Sequence, residues 1–211
     1  MFLEVFVVGV LAGIAPGPDF AVVMRNSLSY GRRSGRLTAF GIAVALVLHV
    51  CYTVLGFAVL LQRNVNLFQL IQGAGAMYLV WLGLQALRSG PAGAENAAAD
   101  EGLAGAGLKG RGESFRDGFL CNALNPKAPL FFLSVFPQFL TKETPQWLQW
   151  VYGLEIVVAV GGWFVLLALI GSAAWFRRFY HRNKHWFDRI LGGVLLCFAI
   201  RIFAAIAGWG E

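Results

Sequence analysis

Apolar residues in this chain come in long unbroken blocks rather than with the alternation of a strand or the stripe of an amphipathic helix. Residues 37–61 hold no charged side chain between Arg36 and Arg63, and residues 65–87 hold none between Arg63 and Arg88. A helix needs about 20 apolar residues to cross a bilayer, and each block is long enough. A third block, 150–174, carries one acid, Glu155, near its start. Three further segments are long enough but interrupted. Residues 2–23 contain Asp19, residues 118–140 contain Lys127, and residues 186–209 contain Asp188, Arg189 and Arg201. The pattern predicts an all-α integral membrane protein with six transmembrane helices. The opening MFLEVFVVGV has no basic start and no clear small-residue cleavage site, so it is expected to be a retained span and not a signal peptide.

The connections differ in kind. The first, RNSLSYGRRSGR, reads as a polar loop of about a dozen residues, and those after spans 2 and 4 are tight. Residues 89–113 include PAGAENAAADEGLAGAG, an Ala/Gly-rich stretch with the composition of a flexible linker. It divides the chain into a first three-helix repeat, 1–88, and a second, 114–211. The halves echo one another weakly. Ala15–Pro18 lies over Asn125–Ala128, Phe40-Gly41 over Tyr152-Gly153, and Phe68, Ile71 and Gly73 over Phe187, Ile190 and Gly192. With three spans per half the second repeat inserts upside down. An inverted 3+3 repeat is a transporter architecture, with its site at the repeat interface near broken helices. Helices 1 and 4 are the broken pair.

Composition fits this reading. Hydrophobic residues make up 58% and charged ones 13%, against roughly 25% charged in soluble domains. The mean hydropathy is +0.65. The net charge of +6 raises the question of a nucleic-acid partner, and the placement of the basic residues answers it. Arg25, Arg32, Arg33, Arg36, Arg88, Lys109, Arg111, Arg116, Arg177, Arg178, Arg182, Lys184 and Arg189 fall on one side of the six-span layout, and only Arg63 and Lys142 on the other. Lysine and arginine accumulate on the cytoplasmic side of membrane proteins, so the charge reports topology and no nucleic acid is expected. The linker is then cytoplasmic and both termini periplasmic. Three cysteines, Cys51, Cys121 and Cys197, make no disulfide framework. His181 and His185 share a helical face, but Arg182 and Lys184 between them would repel a metal ion, so no metal or other cofactor is expected.

The interruptions carry the chemistry. Span 1 breaks at Gly-Ile-Ala-Pro-Gly-Pro-Asp, where Pro16 and Pro18 lack backbone N–H groups and Gly17 is conformationally permissive. Such backbone is tolerated within a bilayer only where it meets protein or a water-filled cavity. Gly9, Gly13 and Gly17 recur every four residues, which would let another helix approach closely. Span 4 breaks at Asn-Ala-Leu-Asn-Pro-Lys-Ala-Pro, where Asn125 reads as a helix cap and Pro126 as the first helical residue. Lys127 then sits at the positive end of a new half-helix, which disfavours a cation. A bound carboxylate would compensate, and Asp19 is the natural counter-charge. A structural Asp19–Lys127 pair is the competing reading. His49, in mid-span 2, is a candidate proton carrier beside Asp19, or a hydrogen-bonded packing residue.

The segments GIAPGPDFAVVMRNSLSYGRRSG, GAMYLVWLGLQALRS and NALNPKAPLFFLSVFPQF resemble the LysE/RhtB family of bacterial amino-acid exporters, in order and spacing, over nearly the whole chain. The resemblance implies no enzyme but a six-span inner-membrane exporter of the homoserine, threonine or lysine efflux type, driven by the proton gradient. It maps the family's PGP motif onto Pro16, Gly17 and Pro18, and its NPK motif onto Asn125, Pro126 and Lys127. The family pattern also leads one to expect an acidic residue midway through the fifth span, where this chain has Val160 and Gly161. The substrate would be a small neutral or a basic amino acid, moved with protons through surrounding lipid. A homo-oligomer is left open. A thiol-redox relay is the alternative from another class, but span 1 has no cysteine to pair with Cys121. A channel or structural subunit is the third.

Overall fold

The computed structural model describes residues 2–14, 17–63, 65–88, 109–125, 127–140, 144–171 and 173–206. All regular structure among them is helical. The helices are α1 (Phe2–Ile14), α2 (Pro18–Arg63), α3 (Val65–Arg88), α4 (Arg111–Ala123), α5 (Lys127–Val135), α6 (Gln146–Ile170) and α7 (Ala174–Ile206), with a tight 3₁₀ turn, Phe136–Phe139, after α5. Three helices are each long and apolar enough to cross a membrane, over Pro18–Phe57, Gln69–Arg88 and Gln146–Ile170. A fourth such unit is the pair Arg111–Ala123 and Lys127–Phe139, bent by 54° at the break between them. The expected first span falls on α1 and the start of α2. At 13 residues α1 is apolar but short, ending at Ile14, while α2 begins at Pro18. The expected sixth span falls on the second half of α7.

The polar segment after span 1 is not the loop that its composition suggests. It is helical on both sides of Gly31, whose φ of 84° and ψ of 168° turn the chain within one residue. Only glycine reaches that backbone geometry without steric cost. The polar side chains beside this turn avoid water by packing on α4. Asn26, Ser34 and Thr38 are buried. The Asn26 amide donates to Thr38 Oγ1 at 2.8 Å, the Ser34 and Ser114 hydroxyls share a 2.8 Å bond, and Thr38 donates to the Ser114 carbonyl at 3.0 Å. The seam is close because glycines line it. A Cβ on Gly118 would run into the Thr38 carbonyl, and one on Gly41 into the Phe115 carbonyl. The linker expected over 89–113 lies outside the described residues as far as 108. Its last residues, 111–113, already belong to α4, where the Gly110 N–H donates to the Glu113 carboxylate at 3.3 Å and closes the first turn.

The remaining helices pack as two groups about this seam. Helix α6 lies against α1 and α2, and α3 lies against α5 and α7. Gly9 and Gly13 do face another helix: Cβ atoms there would come within 3.2 Å of Ala159 and 3.1 Å of Trp163 on α6. The α3–α7 contact rests on Gly83 and Gly192, with a Cβ on Gly192 only 2.7 Å from the Gly83 carbonyl oxygen. Phe57 of α2 stacks on Phe136, at 6.4 Å between ring centres, and Phe139 meets Tyr152 of α6 and Phe198 of α7. The aromatic turn after α5 is thereby locked into the core.

Candidate functional site

Two helix N-termini meet at one cavity. The first is that of α2. Proline at its first position costs nothing there, because that N–H would have no helical partner. The first helical bond runs from the Ala21 N–H to the Gly17 carbonyl at 3.0 Å. Asp19 therefore lies in the first turn, where a carboxylate is favoured by the dipole. The second N-terminus is that of α5. The Asn125 side-chain oxygen accepts the Lys127 N–H at 3.0 Å, a capping bond. Lys127 thus stands at the positive end of α5, with both Asp19 and Asp188 attracting its ammonium. Pro16 and Pro126, the other expected motif residues, lie outside the described residues.

The cavity is bordered by Gly17, Pro18 and Asp19 of the first break and by Asn122, Asn125 and Lys127 of the second. Its other walls are apolar, contributed by α1, α2, α3, α5, α6 and α7, with Phe20, Phe131, Phe132 and Phe164 the largest. Its volume is about 70 Å³, counted over water-centre positions. One water needs roughly 10–15 Å³ on that measure, so there is room for several waters or for a small polar solute.

The hydrogen bonds within it do not include the structural Asp19–Lys127 pair of the competing reading. Asp19 Oδ2 accepts the Asn122 amide at 2.9 Å and the Asn125 amide at 3.5 Å. The ion pairs include Arg25–Asp117, Lys109–Asp117 and Arg201–Glu4, and none of these joins Asp19 to Lys127. Asp19 Oδ1 and Asn122 Oδ1 are both buried with no partner among the described residues. Buried acceptors normally find a donor, so this cavity has unmet demand for N–H or O–H groups. Asn122 was not marked out by sequence reasoning. The available signal was its place three residues before Asn125, one helical turn away on the same face.

His49 stands outside the cavity lining. It is buried, with Nδ1 2.7 Å from the Tyr52 hydroxyl and Nε2 3.3 Å from the Asn122 carbonyl. A carbonyl only accepts, so Nε2 carries the proton and Nδ1 accepts from Tyr52. The Asn122 carbonyl would meet the N–H of residue 126 in an unbroken helix, and residue 126 is a proline. His49 and the Asn125 N–H, at 3.1 Å, take its place. Both ring nitrogens are engaged, and the ring braces the break.

Next to the cavity along α4, Asp117 gathers Arg25 at 3.2 Å, Asn26 at 3.1 Å and Lys109, whose ammonium also lies 5.0 Å from the Tyr30 ring centre. Cys51, Cys121 and Cys197 are free thiols. No group of three His, Cys, Asp or Glu able to hold a metal ion occurs among the described residues.

Helices long and apolar enough to cross a membrane surround a cavity bordered by two helix N-termini, an arrangement that suits a membrane translocator. The chain belongs to the LysE type translocator family, which matches residues 10–205. It is 30% identical to the threonine efflux protein of Escherichia coli (strain K12) over 202 residues, covering 96% of this chain and 97% of that one. It is also 30% identical to the homoserine/homoserine lactone efflux protein of Salmonella typhi over 149 residues, 70% of this chain and 69% of that one. A membrane protein of Escherichia coli (strain K12), YahN, is 31% identical over 189 residues, 89% of this chain and 82% of that one. No solved structure matches the chain.

Proposed function

We propose that this protein exports amino acids with small, uncharged side chains across the bacterial inner membrane, as a secondary transporter coupled to the proton gradient. The observation that carries the reading is the pairing of two half-helix N-termini at one otherwise apolar cavity, one bearing Asp19 and the other Lys127. A zwitterion needs a cationic and an anionic partner where water is scarce. The N–H groups of α5 and the Lys127 ammonium supply a carboxylate site. Asp19, with a free buried oxygen, supplies an ammonium site. The apolar walls leave a place for a short side chain. The relatives named for threonine and homoserine efflux support this substrate class. Asp19 is also the proposed coupling group, because a proton and a substrate ammonium would compete for the same oxygen. His49, already bonded at both nitrogens, is the second candidate.

In this reading the chain has six spans in an inverted 3+3 arrangement, with 1–88 and 114–211 as its repeats and with spans 1 and 4 broken. Both termini face the periplasm. The 3.5 Å contact between Glu4 near one end of the chain and Arg201 near the other agrees with a shared side for the two. The test is a substrate panel. The gene is expressed in a host sensitive to amino-acid excess, and resistance and efflux of each labelled amino acid are scored. Resistance to threonine, homoserine or a close neutral analogue, abolished by collapsing the proton gradient, is the expected result. Efflux of none of them, or efflux indifferent to the gradient, would reject the reading.

A further inference from the structure

The cavity contains one polar residue with an unmet bond whose role the motifs leave unassigned. The two asparagines beside Asp19 are not equivalent. Asn125 is used at both ends, its oxygen capping α5 and its amide facing Asp19. Asn122 is used at one. Its amide nitrogen donates to Asp19 Oδ2 at 2.9 Å. That bond fixes the amide orientation, because a carboxylate accepts only and must be met by the NH₂ group. The Asn122 oxygen therefore takes no part in that bond. It is buried beside the His49 ring, with no hydrogen bond of full geometry among the described residues, on a residue only 2% exposed. Asp19 Oδ1 is unpartnered in the same way, and both residues border the cavity.

We infer that Asn122 is a specificity residue: with Asp19 it forms a two-acceptor cradle for the primary ammonium of the substrate, and so selects α-amino acids with several N–H donors. This rests on the amino-acid export proposed above and names the residue that reads the ammonium. Asp19 alone would attract any cation. Two separate acceptors, one charged and one neutral, are both satisfied only by a group that carries at least two N–H donors. A primary ammonium has three. A tertiary ammonium keeps the charge but has one, and leaves an acceptor buried and unmet, the costlier outcome. The amide bond that Asn122 gives to Asp19 also holds the carboxylate's orientation, so the cradle is set before substrate arrives.

The experiment uses full-length protein in proteoliposomes exchanging labelled L-threonine. N,N-dimethyl-L-threonine, which retains the cation and one N–H, is the competitor. In the unmodified protein the derivative should inhibit at least about tenfold more weakly than threonine competes with itself, the scale of a hydrogen bond to a charged group. Asn122→Leu is close to isosteric, so the steric burden of the two methyl groups is kept while the acceptor is lost. That variant should raise the KM for threonine by about tenfold and bring the two ligands to within about threefold of each other. If Asn122→Leu does not reach the membrane, Asn122→Ala is read in its place with the same expectation. Equal inhibition by both ligands in the unmodified protein overturns the inference, as does undiminished discrimination in the Asn122 variant. If Asp19→Asn abolishes exchange while the Asn122 variant discriminates fully, the exporter reading stands and only the role of Asn122 fails. If the unmodified protein exchanges no amino acid at all, both fail.

Discussion

Lys127 begins a half-helix, where a fixed cation works against the dipole by about 0.3–1 kcal/mol. Nothing in the folding of α5 requires it, since the cap bond comes from Asn125. This separates two variants. Lys127→Met should reach the membrane at normal abundance and lose transport. Asn125→Ala should cost roughly 1 kcal/mol of stability through the lost cap, and should also weaken transport because Asp19 loses a donor. Membrane abundance, detergent melting temperature and efflux, measured together, check the pair. Equal loss of abundance in both would mean that Lys127 is structural. Lys127, Asp19 and Asn125 were legible in the sequence because a charge or a cap next to proline has no ordinary place inside a span. Asn122 was not, because an asparagine one turn earlier looks like any polar residue until its amide is seen committed to Asp19 and its oxygen left over. His49 was legible only as an oddity. Its bond to the carbonyl that Pro126 cannot serve needs two distant segments in contact.

Helix α4 is held to α2 by close glycine contact and by the Asp117 cluster, and each gives a prediction. Gly118→Ala should destabilise by about 1–3 kcal/mol, because the new methyl meets the Thr38 backbone. Gly112→Ala, with nothing within 4 Å, should be neutral or slightly stabilising. Thermal denaturation of both variants in detergent tests this, and equal melting temperatures would contradict it. For Asp117, replacement by asparagine removes the charge that Arg25 and Lys109 share, so Asp117→Asn should melt at a lower temperature at neutral pH, and an unchanged melting temperature would contradict this. The apolar blocks 37–61, 65–87 and 150–174 were legible because burial in lipid demands continuous hydrophobicity. The helical hairpin around Gly31 was not. Its serines, asparagine and threonine read as a solvated loop, and only their partners on α4 explain how a polar sequence is buried.

At the scale of the whole molecule, membrane sidedness and the site make one account. In the proposed topology the linker lies in the cytoplasm and both termini in the periplasm, as the distribution of basic residues suggests. Reporters active on only one side of the membrane, fused at Gly105 and at Glu211, should therefore give opposite signals, and matching signals would break the six-span layout. The central claim is that the two helix breaks hold the two ends of an amino acid. It is tested most directly by exchange of labelled L-threonine in proteoliposomes containing the unmodified protein, Lys127→Met, Asp19→Asn or the double variant. If the carboxylate and ammonium of the substrate are the missing partners, both single variants lose exchange at near-normal abundance and the double variant recovers nothing. Recovery of both abundance and exchange in the double variant would instead make Lys127 and Asp19 a structural pair, and would contradict the account.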